Sequence, residues 1–149
     1  MQTSNIERFD QATGLIFAQL YSEFPRRTTL TSGVLEPMIR SIVADSDWLT
    51  ELSAKESFFS NTMDWLLQAG FIWHHEKQST FPTQYLGCVL TTKALEALKA
   101  TPASLSGESL GQSLKEAATS GLLDSLKGLT NEVLSKGVHM AVGAAQSWT

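Results

Sequence analysis

The sequence predicts a mostly helical protein with one small β-hairpin, an α+β chain that ends in a further helical segment. Three observations lead there. Apolar residues recur at three- and four-residue spacing in several stretches that carry capping signals, and two strand-favouring runs flank a polar stretch around Ser79. After Pro102 the texture turns to Ser and Gly before another apolar stripe begins.

The elements follow in order. Ser4-Asn5-Ile6-Glu7 has capping-box spacing, so a helix starts there, with Ile6, Phe9, Ile16, Phe17, Leu20 and Phe24 as its buried stripe and Pro25 as its end. The Thr-rich stretch 26–32 reads as a connection or a short strand. Pro37 suits the first turn of a second helix carrying Met38, Ile39, Ile42 and Val43, closed by Asp45 and Asp47. Residues 46–55, with Trp48, Leu49 and Leu52, fit a short helix and an ordered turn equally well. A third helix runs from Ser57 through Phe58, Phe59, Thr62, Met63, Trp65, Leu66 and Ala69 to the capping Gly70. Residues 71–75 and 85–90 are the hairpin strands, and Thr92 caps a short helix, 93–99, before Thr101-Pro102.

This places a first domain at 1–100, a linker at 101–108 and a helical segment at 109–149. In that last segment Leu122, Leu126, Leu129, Val133, Gly137 and Ala141 share one stripe, with Leu123, Leu134 and Val138 beside it. Such a face must be covered. The Ser/Gly-rich linker lets the helix leave its own domain, so Leu122, Leu126, Leu129 and Val133 are expected to make a homo-oligomer contact.

Composition narrows the function. With 42% hydrophobic and 17% charged residues, the chain has the makings of a packed core. The net charge of −4 leaves no polycationic half, which disfavours nucleic acid as a partner. Cys88 is the only cysteine, so an intramolecular disulfide and a Cys-rich zinc site are excluded, and a reducing, cytoplasmic location is expected. The N-terminus does not read as a secretory signal, and no run reaches the ~18 apolar residues of a membrane-spanning helix. A membrane contact by the apolar run 137–145 would need more length than it has.

No nucleophile elbow, phosphate-binding loop or helical HExxH is present, so no catalysis, cofactor or metal is expected. His74 and His75, adjacent on a strand, point to opposite faces and cannot easily chelate one ion. With the hairpin turning near Ser79, Cys88 falls opposite residue 70, too far from His74 for a nucleophile–base pair. Trp48, Phe58, Phe59, Trp65, Phe71 and Trp73 are assigned to the core rather than to a base-stacking platform. As a core residue, Trp65 truncated to Ala should cost about 3 to 5 kcal/mol.

Trp65-Leu66-Leu67-Gln68-Ala69-Gly70-Phe71-Ile72, followed by Val89-Leu90-Thr91-Thr92-Lys93-Ala94-Leu95, resembles the winged helix-turn-helix superfamily. In its MarR-like and PadR-like regulators a recognition helix ends in L-x-x-x-G and two hydrophobic residues, and the helix after the wing opens L-T-x-K-G; Ala94 stands in place of that last glycine. The order of elements matches over residues 1–100. The resemblance implies that the third helix is the recognition helix, with Glu56, Ser57, Ser60, Asn61, Asp64 and Gln68 facing outward, Lys55 at its start and His75 on the wing. Arg26, Arg27, Arg40 and Lys77 are the candidate phosphate contacts. Two functions follow as expectations: a non-catalytic regulatory protein whose winged helix domain binds another protein, and, as the alternative, a dimeric DNA-binding transcription regulator.

Overall fold

The computed structural model describes residues 5–39, 48–100 and 109–147. Ser4, Arg40, Ile42, Val43, Asp45, Asp47 and the 101–108 linker lie outside the described residues, as do the side chains of Ile39, Trp48, Leu49, Leu52, Val138 and Ala141. The chain is mostly helical with a small antiparallel sheet, the α+β class that the periodicities predict.

Helix α1, Asn5–Glu23, leads into strand β1, Thr28–Leu30, a 3-10 turn, Ser32–Leu35, and the short helix α2, Glu36–Ile39. Helix α3 spans Trp48–Gln68, so it absorbs the stretch 48–55 whose form the sequence leaves open, and it begins two turns before Ser57. It stops at Gly70 in a Schellman motif: Phe71 N–H donates to Leu66 O at 3.0 Å and Gly70 N–H to Leu67 O at 3.2 Å. Phe71 and Leu66 are both buried there.

Strands β2, Ile72–Trp73, and β3, Glu76–Gln78, both pair with β4, Gln84–Leu90, and β1 flanks β4 on its other edge. The register sets Ile72 opposite Leu90 and Gln78 opposite Gln84, so the hairpin turns around Phe81 and not near Ser79. Against β1, Thr28 pairs with Cys88 but Leu30 with Tyr85, which leaves one extra residue in β4. That is a β-bulge, and Gly87 at φ +69° supplies the left-handed conformation it needs. The bulge changes the phase of the strand, so Tyr85 and Cys88, three apart, both face the core.

Thr91, rather than Thr92, caps helix α4, Thr92–Lys99, accepting from Ala94 N–H. The tail holds two helices where one stripe was expected. Helix α5, Leu110–Ser120, is capped by Ser109 and ends at Gly121 in a second Schellman motif, after which α6 runs over Leu123–Ser147.

Both tail helices pack on α1 of the same chain. Every residue from Asp10 to Ala18 is buried, so α1 is enclosed rather than amphipathic, while Ile6, assigned to its stripe, is 74% exposed and Phe24 lies at the surface. At the α1–α6 crossing a Cβ on Gly14 would stand 2.6 Å from Thr130 Oγ1, so only glycine permits this approach. The stripe expected to meet another subunit is divided: Leu126 and Val133 are fully buried in this chain, Leu129 is partly buried, and Leu122 is 54% exposed. Among the described residues, no helix is long and apolar enough to cross a membrane.

Leu126→Ala should therefore destabilise the protein by about 2 to 5 kcal/mol, whereas Leu122→Ala should stay within about 0.5 kcal/mol. Denaturant midpoints measure both, and the Leu126 loss should not depend on protein concentration.

Candidate interaction surface

α3 is positioned by one buried carboxylate and one phenol. Glu56, read as an outward residue, is buried: it accepts a hydrogen bond from Ser32 Oγ and another from Thr83 N–H at 3.1 Å. One side chain thus ties the 3-10 turn and the hairpin loop to α3. Further along the helix, Tyr85 O–H reaches Ser60 O, one turn after Glu56, at 3.2 Å and Asp64 Oδ1, two turns after it, at 2.8 Å. Burial pushes the Tyr85 phenol above its ordinary pKa, and the hydrogen bond to Asp64 adds to the rise. The face of α3 toward the hairpin is therefore a set of internal contacts, and Glu56 and Asp64 do not face outward as unpaired acids.

Three of the candidate cations are engaged in the same way. Lys77 Nζ lies 3.2 Å from Asp64 Oδ2, and that hydrogen bond raises the ammonium above its ordinary range. Arg26 pairs with Glu23, and Arg27 Nη1 donates to Gly87 O at 2.8 Å, holding the bulge. Lys55 is half-buried, and Arg40 lies outside the described residues. His75 is exposed, with its ring over Gly87, where a Cβ would fall inside the imidazole.

What α3 does present is a narrow stripe. Ala54, Ser57, Asn61, Trp65 and Gln68 are exposed at three- and four-residue spacing, which places them on one helical face. Ser60, expected there, is half-buried with its carbonyl bonded to Tyr85. Trp65, assigned to the core, is instead 47% exposed. Its ring is fixed from below, edge-on to Phe9 at 5.2 Å and stacked with Phe71 at 6.4 Å between centroids. Spacing alone identifies Ser57, Asn61 and Gln68; Ala54 and Trp65 belong to the same period but lack the polarity that marks an outward residue. Trp73 is also exposed, while Phe59 and Phe71 are core.

The register corrects the argument about Cys88. With Trp73 opposite Val89 and Glu76 opposite Leu86, Cys88 lies across from His74, not from residue 70. The thiol nevertheless donates to Tyr85 O at 3.4 Å and is fully buried, and desolvation pushes its pKa up to about 11. His74 has its ring 6.1 Å from that of Tyr85. At neutral pH the sulfur is a protonated core group and a poor nucleophile. Among the described residues, no group of three or more His, Cys, Asp or Glu side chains is placed to hold a metal ion. No family model, curated protein or solved structure matches this chain.

Two outcomes follow from this geometry. Because the folded state holds the Cys88 proton more tightly than the unfolded chain, stability should fall as pH rises from about 9 toward 11; Cys88→Ala should flatten that slope in pH-dependent melts, and native Cys88 should resist a thiol reagent at pH 8 until unfolding. Trp65→Ala should cost about 1 to 2 kcal/mol in denaturant titration, the value of two aromatic contacts and half a burial rather than of a core deletion.

Proposed function

We propose that residues 1–100 form a winged helix-turn-helix unit that serves, without catalysis, as a protein-binding module of a regulatory protein. The order of elements supports the unit: α1, β1, α2, α3, then a hairpin, with β1 returning to pair with the second hairpin strand. In such a unit α3 is the recognition helix and β3–β4 the wing.

The outward face of that helix carries the functional reading. A helix that enters a DNA groove is flanked by free Arg and Lys that neutralise phosphates. Here, among the described residues, the outward stripe has no charged member, Lys77 and Arg26 are paired with acids, and Arg27 holds the β4 backbone. A half-exposed Trp braced by two aromatic rings is instead the side chain that most often anchors a protein interface. A second reading, the dimeric DNA-binding regulator, draws on Ser57, Asn61 and Gln68, which are exposed and able to hydrogen-bond base edges.

Titration with labelled random duplex separates the two. At ~150 mM salt the protein should show no submicromolar affinity. Tight binding there, lost in the Arg26→Ala, Arg27→Ala double variant, would replace the protein-binding reading with the DNA-binding one.

A further inference from the structure

Trp65, the anchor of the outward stripe, rests on a ring that the tail also touches. Phe71 is 2% exposed, and the half-exposed Trp65 stacks with it at 6.4 Å between centroids. On α6, a Cβ built on Gly137 would stand 2.6 Å from Cε1 and 2.8 Å from Cζ of that same ring. Carbon atoms in contact keep about 3.5–4.0 Å between them, so α6 lies against Phe71 with no room for a side chain.

Lys93 of α4 closes the same cluster. Its Nζ lies 4.2 Å from the Phe71 centroid and donates to Ala69 O, while its Cγ would lie 3.7 Å from a Cβ on Gly137. Ala69 N–H donates in turn to Trp65 O at 2.8 Å, so one lysine joins the last turn of α3, the Phe71 ring and α6. From α1, the fully buried Phe17 lies 5.8 Å from Phe71. Phe71 is thus confined by α1, α4 and α6, and the member of the cluster with one side in water is Trp65. A close-packed interior has little free space in which to absorb a displacement, so a shift of α6 at Gly137 passes through Phe71 to that less confined ring.

Resting on the reading of α3 as a protein-binding helix, we propose that α6 regulates the outward stripe: the seat of Gly137 on Phe71 sets the pose of Trp65. Linkage makes the effect reciprocal. A partner that shifts Trp65 changes the stability of the α6 seat, and a change in that seat alters how Trp65 is offered to the partner.

Nitrogen-15 correlation spectra of the full chain test both directions. The indole N–H peak of Trp65, assigned from Trp65→Phe, should move in Gly137→Ala by more than its linewidth, and by more than the peak of Trp73, which is exposed on β2. A Trp65 peak that stays in place, with α6 alone giving way, overturns the proposal. The reverse variant, Trp65→Ala, changes a half-exposed side chain and leaves the tail sequence intact. Because the Phe71 ring lies against Gly137, its ring current makes the Gly137 amide a reporter of where that ring sits. That peak should move in Trp65→Ala, whereas the peak of Gly128, earlier on α6 and with open space at its Cβ position, should not. A Gly137 peak that stays in place, or that moves no further than Gly128, overturns the proposal, and this comparison decides alone if Gly137→Ala does not fold. Neither result touches the protein-binding reading itself, which stands or falls on the duplex titration.

Discussion

The enclosure of α1 is the constraint on which the rest of the structure depends. One side of the helix meets the hairpin and α3 through Phe17, whose ring lies 5.8 Å from that of Phe71. The other side meets α5 and α6 through the narrow approach at Gly14. Because α1 is shared, the buried residues form one cluster from Leu30 in the sheet to Val133 in α6. The same enclosure carries polar groups inside. Burial raises the pKa of Asp10, opposed by a hydrogen bond from Asn131 and by the charge of Lys127. Its folded state therefore favours the proton, and what Asp10 adds to stability under acid conditions is lost as pH rises through its folded pKa. Among the described residues, the hydroxyls of Thr13 and Thr130, buried in α1 and α6, find no hydrogen-bond partner, a further cost of enclosing α1.

A second, smaller constraint orients α3. By shifting the phase of β4, the Gly87 bulge aims Tyr85 inward, where it packs edge-on to Phe59 and bonds Asp64 and Ser60. Glu56 fixes the helix from the adjacent turn. These contacts engage Glu56 and Asp64 on the hairpin side of α3, and among the described residues its opposite edge carries no charge. The chemistry of the outward stripe is thus a by-product of how the helix is held: Glu56 and Asp64, acids that would have repelled phosphate, are occupied, and so are Arg26, Arg27 and Lys77, cations that would have attracted it.

Where local chemistry decides, the sequence is legible. Gly70 ends α3 because a Schellman motif needs a left-handed residue there, and the stretches 71–73 and 85–90 pair because their residues favour strands. Where distant contacts decide, it is not. Asp10, Gln11 and Thr13 are polar and so fall off any apolar stripe, yet all three are buried on α1, Asp10 beside Asn131 and Lys127 of α6. Glu76, Lys77 and Gln78 are exposed and look like loop, yet they join the sheet through backbone bonds to β4, and this displaced the expected turn and the expected partner of Cys88. Of the outward residues, Ser57, Asn61 and Gln68 were legible from helical period. Trp65 was not, because an aromatic residue at core spacing gives no local sign that its neighbour on α1, Phe9, lies beneath it and leaves it half in water.

The pairing of α1 with α6 also sets an order of events during synthesis. Residues 5–23 leave the ribosome before α5 and α6, and the surface that encloses them is not complete until residues beyond Val133 have followed. At about 5–20 residues per second, the interval is on the order of 5–20 s. Throughout it, the nascent chain displays the side of α1 around Gly14 that Leu114 of α5 and Leu126 and Thr130 of α6 will later cover. Helix α1 is thus completed only by elements that follow it in the chain.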